Sequence, residues 1–578
     1  MAEDISRRSF LAGAGALAAA GAAGLAGCAP KQEGALGETG PGENAADGME
    51  EAAEGWLGTA PEIAEDAIVE TVETDVLVVG GGTGGLFATC AAREEGAETV
   101  MLEQFEKNAG HGVRDDLGVY NSKYQKAAGA KIDIDAMRRY LQLGSGYYHN
   151  AQMFKIWEEE SGETFDWYAA ICEKAGYEAK NRLVAPPDEQ QITHYPYGVM
   201  SASICCFIDW GVTDEELLSH NHNGQFILND YAEEIGVDCR FSTPMVKLEK
   251  EGDRVTGCIA QNADGDYIRV NARKGVILCT GGYMGNEEML YSLQPEIEDL
   301  MLFSSSCFPG TDGLGIKAGM WAGGQLDPFH SCSLSPDAII PLGMTFEEAK
   351  GKDMNFSDFG PHPFLRVNAL GERFMNEDDQ FDALGHNLLY QPEKYAIVVY
   401  DSDWSRKLQQ MNTYNAFRYY PYDDGSATLF TEEAVIGEIA DCVERGMTAK
   451  ADTLEDLAKA LDIPADTFVA TVERYNELCA KGHDDDFGKP AFRMTPVDTP
   501  PYYADRYTMD GSHTMDGLVV DKDGRVLDEN NRPIEGLWAA GDCAGCFLGC
   551  TYLGTLAGIA AGRTITFGRH AGRLVAQS

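Results

Sequence analysis

The chain has 578 residues, 44% of them hydrophobic and 65 of them glycine, with a formal charge of −48 at pH 7. That length allows two or three domains and a large core. The charge argues against nucleic acid, whose phosphates need Lys and Arg, and fits a solvated acidic surface or one that docks a basic redox partner.

Residues 1–30 read as an address rather than as structure. Ser6-Arg7-Arg8-Ser9-Phe10-Leu11 is a twin-arginine signal, an Ala/Gly-rich apolar stretch follows, and Leu25-Ala26-Gly27-Cys28 has the form of a bacterial lipobox. The expectation is export by the twin-arginine route to the outer face of the cytoplasmic membrane or the periplasm, with a lipid anchor at Cys28. An uncleaved transmembrane anchor is the alternative, for which Ala and Gly give little hydrophobic drive. Residues 31–70, rich in Gly, Glu, Ala and Pro, are expected to be a disordered tether.

From residue 71 a nucleotide-binding pattern begins. Val76–Val79 is an apolar run suited to a buried parallel strand. Gly80-Gly81-Gly82-Thr83-Gly84-Gly85 fits G-x-G-x-x-G at Gly80, Gly82 and Gly85; Leu86–Glu95 reads as a helix and Thr99–Leu102 as the next strand, closed by Glu103. In such a unit the first glycine makes a tight turn, the second lets backbone approach a pyrophosphate, and the third lets helix pack on strand. The helix N-terminus offers N–H groups to the phosphates, and Glu103 is placed to take a ribose hydroxyl pair. Strand, glycines, helix, strand and acid in this order point to a bound dinucleotide.

The polar loop at 107–114 is expected near the pyrophosphate or the ring system of the bound cofactor. Residues 133–180 read as helical, as does Gly224–Glu234; strands are expected at Asp238–Phe241, Arg254–Ala260 and Gly275–Thr280. From 326 to 494 the chain is richer in aromatic and charged residues, with amphipathic helices at Thr453–Leu461 and Asp466–Ala480. A nucleotide-domain pattern then returns, with strands at Gly517–Val520 and Gly536–Ala540 and a helix at Gly554–Ala571. The architecture expected is α/β: a Rossmann-like unit from 71–325 and 495–578, with an inserted α+β capping domain at 326–494.

Fifteen cysteines are scattered, mostly in apolar runs as at Cys90, Cys258 and Cys279, which reads as buried thiols. No C-x-x-C-H occurs, so no c-type haem is attached to this chain. Cys543, Cys546 and Cys550 could ligate an iron–sulfur cluster given a fourth ligand. Small buried thiols or a redox-active pair are favoured there, and no metal is expected.

Taken together, the Gly80–Gly85 loop, Thr280-Gly281-Gly282, Gly310-Thr311-Asp312-Gly313, Gly371–Glu377, Ser512-His513-Thr514-Met515 and Ala539-Ala540-Gly541-Asp542 resemble the flavoproteins of the fumarate reductase and succinate dehydrogenase family, including its urocanate-reductase and 3-ketosteroid-dehydrogenase branches. The resemblance covers roughly residues 72–578. It implies non-covalent FAD, with Gly281, Asp312, Gly541 and Asp542 among the residues that hold it. It also implies hydride exchange between flavin and a C=C carbon of a small unsaturated substrate. His513 matches the family's substrate histidine and His330 looks like the second. The family's carboxylate-binding arginines are missing: Phe381 stands in one place and Tyr552, or with a different gap Thr555, in the other. A buried carboxylate without a cation is unfavourable, so a dicarboxylate substrate is not expected. Tyr552-x-Gly554 resembles the element with which ketosteroid dehydrogenases hold a ketone, which makes Tyr552 the candidate carbonyl polariser or proton donor. The leading expectation is a terminal reductase of an enone or enoate, supplied with electrons by a membrane or cytochrome donor. A ketosteroid-type dehydrogenase running in reverse, and a tethered flavin shuttle without turnover, are the alternatives.

Overall fold

The computed structural model describes residues 55–109, 117–130, 132–181, 204–209, 224–304, 310–350, 357, 359–411, 432–553, 556 and 558–578. The twin-arginine segment, Cys28, residues 110–114, Gly554 and Thr555 lie outside the described residues.

In chain order the strands are β1 (Ile68–Val79), β2 (Thr99–Leu102), β3 (Leu117–Gly118), β4 (Glu178–Asn181), β5 (Cys205–Asp209), β6 (Asp238–Arg240), β7 (Met245–Glu251), β8 (Arg254–Gln261) and β9 (Tyr267–Leu278). Then come β10 (Met301–Ser304), β11 (Cys332–Ile339), β12 (Leu365–Val367), β13 (Ala396–Asp401), β14 (Thr448–Ala451), β15 (Tyr502–Thr514), β16 (Arg525–Leu527) and β17 (Pro533–Ala539). The helices used below are α1 (Thr83–Glu94), α2 (Ile134–Gly144), α3 (Ala151–Lys174), α4 (Gly224–Glu234), α5 (Leu314–Trp321), α6 (Phe381–Leu388), α7 (Leu454–Leu461), α8 (Ala465–Lys481) and α9 (Ile559–Gln577).

The first sheet has the order β16-β17-β9-β1-β2-β6, with β8 and then β7 attached along β9. Its middle is parallel: Val76↔Thr99 joins β1 to β2, Val79↔Leu278 joins β1 to β9, and Ala539↔Leu278 joins β17 to β9. Strands buried on both faces must be apolar throughout, and Val76, Leu77 and Val78 are fully buried. The parallel strands all end at one edge, where open α/β sheets bind their ligands. α9 covers this sheet by lying tightly against α1. A Cβ on Gly568 would sit 2.3 Å from the carbonyl oxygen of Gly84, so only glycine permits that approach.

The second sheet is built on β15, which pairs with β10, β11, β13 and β14, while β12 lies beyond β13. Its core packs Ile397, Val399 and Ala504 against Leu457, Leu461, Phe468 and Val472 of α7 and α8. Two of its strands, β10 and β15, come from outside residues 326–494. The inserted segment therefore does not supply a complete sheet by itself, because its central strand belongs to the part of the chain expected to rejoin the nucleotide unit. A small third sheet has the order β3-β5-β4.

Several expectations are corrected. The tether does not reach residue 70: Trp56 is buried in the core and β1 already pairs at Ile68↔Tyr267. The helical stretch at 133–180 breaks between α2 and α3, where Tyr147 takes a left-handed φ of 68°, and it ends in β4. Gly517–Val520 is not a strand but makes isolated bridges, from Leu518 to Leu326 and Ala544 and from Val520 to Val526. α9 begins at Ile559 and runs to Gln577.

Candidate active site

The glycine loop leads from β1 into α1. Gly80 has a φ of 101°, and a Cβ there would lie 2.3 Å from the Cys279 carbonyl oxygen. A Cβ on Gly85 would lie 1.7 Å from the carbonyl oxygen of Gly80. Both positions admit only glycine. α1 starts from Gly82, in extended conformation and without a side chain to cap the helix, so its N-terminus presents backbone alone, as a pyrophosphate requires.

Glu103 is buried beneath this turn, its Oε2 accepting the Gly81 N–H at 2.6 Å and its Oε1 the Phe105 N–H at 2.9 Å. Burial pushes its carboxyl up and these N–H groups pull it back. An ionised carboxylate has about four acceptor sites, so capacity for ribose hydroxyls is left. Around the loop, Gly281 takes a φ of 75°, and the Gly313 N–H donates to the Gly282 carbonyl at 3.1 Å.

Asp312 and Asp542 are less simply placed. The Asp312 Oδ1 accepts the Leu314 N–H at 2.9 Å, at the start of α5, and its carbonyl is held by Asn286. Asp542 accepts from the buried Arg563 of α9 at 2.5 Å. Gly541, with a φ of 69°, backs onto Thr564 of α9, and Gly84 faces the same pair. The returning segment thus closes on the glycine loop, and the cradle fits a dinucleotide cofactor on backbone geometry alone.

The second sheet and the loops next to it bring the chemistry-bearing side chains together. Thr514, the last residue of β15, lies where a Cβ on Gly282 would be 1.8 Å from its hydroxyl. His513 precedes it, its Nδ1 3.3 Å from the Ser512 hydroxyl. Its ring meets that of Tyr552 edge-on, with centroids 5.3 Å apart and planes at 88°. β11 runs antiparallel beside it through Cys332↔Thr514, which sets His330 next to Asp516 with Nδ1 2.9 Å from Oδ2.

Asp382 is fully buried at the start of α6. It accepts the Leu334 N–H at 2.9 Å and the backbone N–H of Tyr552. Burial raises its carboxyl to about 7 against the pull of both N–H groups. Phe381, half-buried, comes one residue earlier. His330, His513 and Tyr552 therefore lie around one site, and Asp382, Asp516 and Tyr283 join them from positions that sequence reading passed over. Asp516 could have been noticed, since it lies three residues after His513. Nothing local marks Asp382.

The three late cysteines do not converge. Cys543 is bonded by the Thr280 hydroxyl at 3.4 Å, and Cys550 donates to the Ser145 carbonyl at 3.3 Å. Among the described residues no group of three or more His, Cys, Asp or Glu side chains is arranged to hold a metal ion.

A parallel nucleotide-binding sheet beside a second sheet that carries His513, with His330 and Tyr552 on adjoining loops, fits a dinucleotide-dependent oxidoreductase. The chain belongs to the FAD binding domain family, whose sequence pattern it matches over residues 75–555, and is one of its succinate and fumarate reductase-like flavoproteins. Its cofactor is non-covalent FAD, and it is an oxidoreductase related to those acting on CH–CH bonds.

A vinyl phenol reductase of Lactiplantibacillus plantarum is 27% identical over 512 residues, 87% of this chain and 96% of that one. A digoxin reductase of Eggerthella lenta is 26% identical over 597 residues, covering 99% and 97%. Among solved structures, a 3-ketosteroid-Δ4-(5α)-dehydrogenase from Rhodococcus jostii RHA1 has a TM-score of 0.65 at 21% identity, covering 90% of this chain and 100% of that one. That last likeness concerns the fold alone.

Proposed function

We propose that the protein is an exported, lipid-anchored reductase of activated C=C bonds, acting on an enone, enoate or aryl alkene rather than on fumarate. Electrons come from a membrane or cytochrome donor. The observation that carries this reading is the charge of the site. Asp516 and Asp327 are buried around it with Asp382, whose carboxyl burial raises to about 7, while Phe381 and Tyr552, or with a different gap Thr555, stand where the family resemblance implies arginines. Among the described residues, two of the buried arginines are already engaged, Arg563 with Asp542 and Arg366 with the backbone of Gly360, His362 and Glu377. A dicarboxylate would add two negative charges to such a site, at a cost of several kcal/mol per unpaired ion. Relatives that are a vinyl phenol reductase and a digoxin reductase lend support.

When bound, FAD supplies the hydride. The chain's own residues hold and polarise the alkene. The Tyr552 hydroxyl donates to a substrate carbonyl or phenol oxygen, an interaction that strengthens as negative charge develops there. His513, edge-on to that ring, orients it. Gly80, Gly82, Gly85, Glu103, Gly281, Asp312, Gly541 and Asp542 are the proposed cofactor contacts.

The test is anaerobic. The flavin is reduced with dithionite and its absorbance followed on addition of fumarate, cinnamate, 4-vinylphenol or benzylideneacetone. Reoxidation by the enone or aryl alkenes with fumarate inert is the expected result. Rapid reoxidation by fumarate would overturn the reading of the site's charge. Export through residues 1–30 is tested by fractionation, with Cys28→Ala expected to release the protein from membranes.

A further inference from the structure

Reduction of a C=C bond adds a hydride to one carbon and a proton to its neighbour. Phe381, where the family resemblance implies one of the missing arginines, has no proton to give. The site must find its acid elsewhere.

A hydrogen-bonded chain behind His330 answers this need. Gln294 Nε2 donates to the Tyr283 hydroxyl at 2.9 Å, and Tyr283 donates to Asp516 at 2.8 Å to either oxygen. His330 Nδ1 reaches Oδ2 of the same carboxylate at 2.9 Å, and the Ser331 N–H approaches Oδ1 at 3.4 Å. The Asp516 side chain is 0% exposed and that of His330 25%. One partner is therefore shut off from water while the other stays in reach of it. Asp327 and the thiol of Cys332 are the further titratable groups that act on this carboxylate or its tyrosine partner.

We propose that Asp516 is a positioning residue that fixes His330 as the proton donor of alkene reduction, an assignment that rests on the reductase reading above. A carboxylate on Nδ1 fixes the ring's orientation, so that with both ring nitrogens protonated Nε2–H is the transferable proton. In the step, the Nε2–H bond breaks as the new C–H bond forms at the carbon next to the one that receives the hydride. Neutral His330 then regains a proton from solvent through its exposed face. The Asp516 carboxyl, which burial pushes up and His330 and Tyr283 pull down, takes no part in the transfer itself.

The experiment uses the FAD-loaded protein, prereduced, with benzylideneacetone as probe across a range of pH. The wild-type rate is expected to fall at high pH, as for any step that needs a protonated acid. Asp516→Asn is expected to lower the rate about 10²-fold, with KM little changed, and to move the descending limb to lower pH because the imidazolium loses its counter-charge. His330→Gln should show a similar loss, and the double variant should be no slower than either alone, as for groups that act as a unit. Tyr283→Phe keeps the carboxylate but removes a donor from it, and should move the limb to higher pH. That variant decides the matter if Asp516→Asn fails to retain flavin. An unchanged limb in Asp516→Asn or Tyr283→Phe, or additive losses in the double variant, would overturn the assignment. If the wild-type flavin is not reoxidised by any alkene, the reductase reading itself fails, and the assignment with it.

Discussion

The carboxylate of Asp382 holds the backbone N–H of Tyr552, a contact between residues 170 positions apart in the chain. Because its other oxygen takes the Leu334 N–H, one buried side chain ties α6, β11 and the Tyr552 loop together.

That arrangement has a pH signature. Burial raises Asp382 to about 7 in the folded protein from 3.8, so between about pH 4 and about pH 7 the folded state binds a proton that the unfolded state has released. Asp382's contribution to stability therefore declines as pH rises through that window and levels off above it. Denaturant unfolding at about pH 5 and about pH 8 should show this component vanish in Asp382→Asn. A variant with the wild-type pH dependence would place the titration elsewhere.

Tyr552→Phe keeps the ring against His513 and removes the hydroxyl. Flavin content should be unchanged, while the rate of reoxidation by enone falls about 10²-fold, the scale of one lost donor to a developing oxyanion. An unchanged rate would remove the hydroxyl from the chemistry.

In the cofactor cradle, Gly85→Ala would drive a methyl into the Gly80 carbonyl. Gly82→Val would crowd the end of α1 where the pyrophosphate is expected. Both variants should purify with little flavin, read as the ratio of flavin to protein absorbance. Full flavin occupancy in either would contradict this placing of the phosphates.

Away from the site, Arg373 bonds Glu377 at 2.8 Å and Asp484 at 2.8 Å, with Lys489 3.3 Å from Glu377. Arg373→Met would leave buried carboxylates short of a cation, which typically costs about 3–5 kcal/mol. The variant should show a marked fall in Tm, with residual folded protein still binding FAD.

How much of this was legible depends on range. The run Val76–Val79, the glycines and Glu103 follow one another within a single β-α-β unit, so local pattern was enough to place them. His513 and Tyr552 were found because motifs mark them. Asp382 and Asp516 were missed because their contacts are made with partners far away in the chain, Tyr552 for one and Tyr283 for the other. β4, reading Glu178-Ala179-Lys180-Asn181, has no apolar alternation and is a strand only because β5 pairs with it. β15 was missed as the centre of a second sheet because four-way pairing leaves no local trace in sequence.

The strand registers also say when in the protein's life the cofactor can be taken up. β9 waits for β17, more than 250 residues further on, and β10 waits for β15. Contacts between such distant segments form slowly and leave edges open until the late segment arrives. A nascent chain that has not reached Ala539 lacks both the last parallel strand and the α9 surface that closes on the glycine loop. Capture of FAD then has to wait until β17 and α9 have been made, and a ribosome stalled short of Ala539 would hold an aggregation-prone sheet rather than a partly working enzyme.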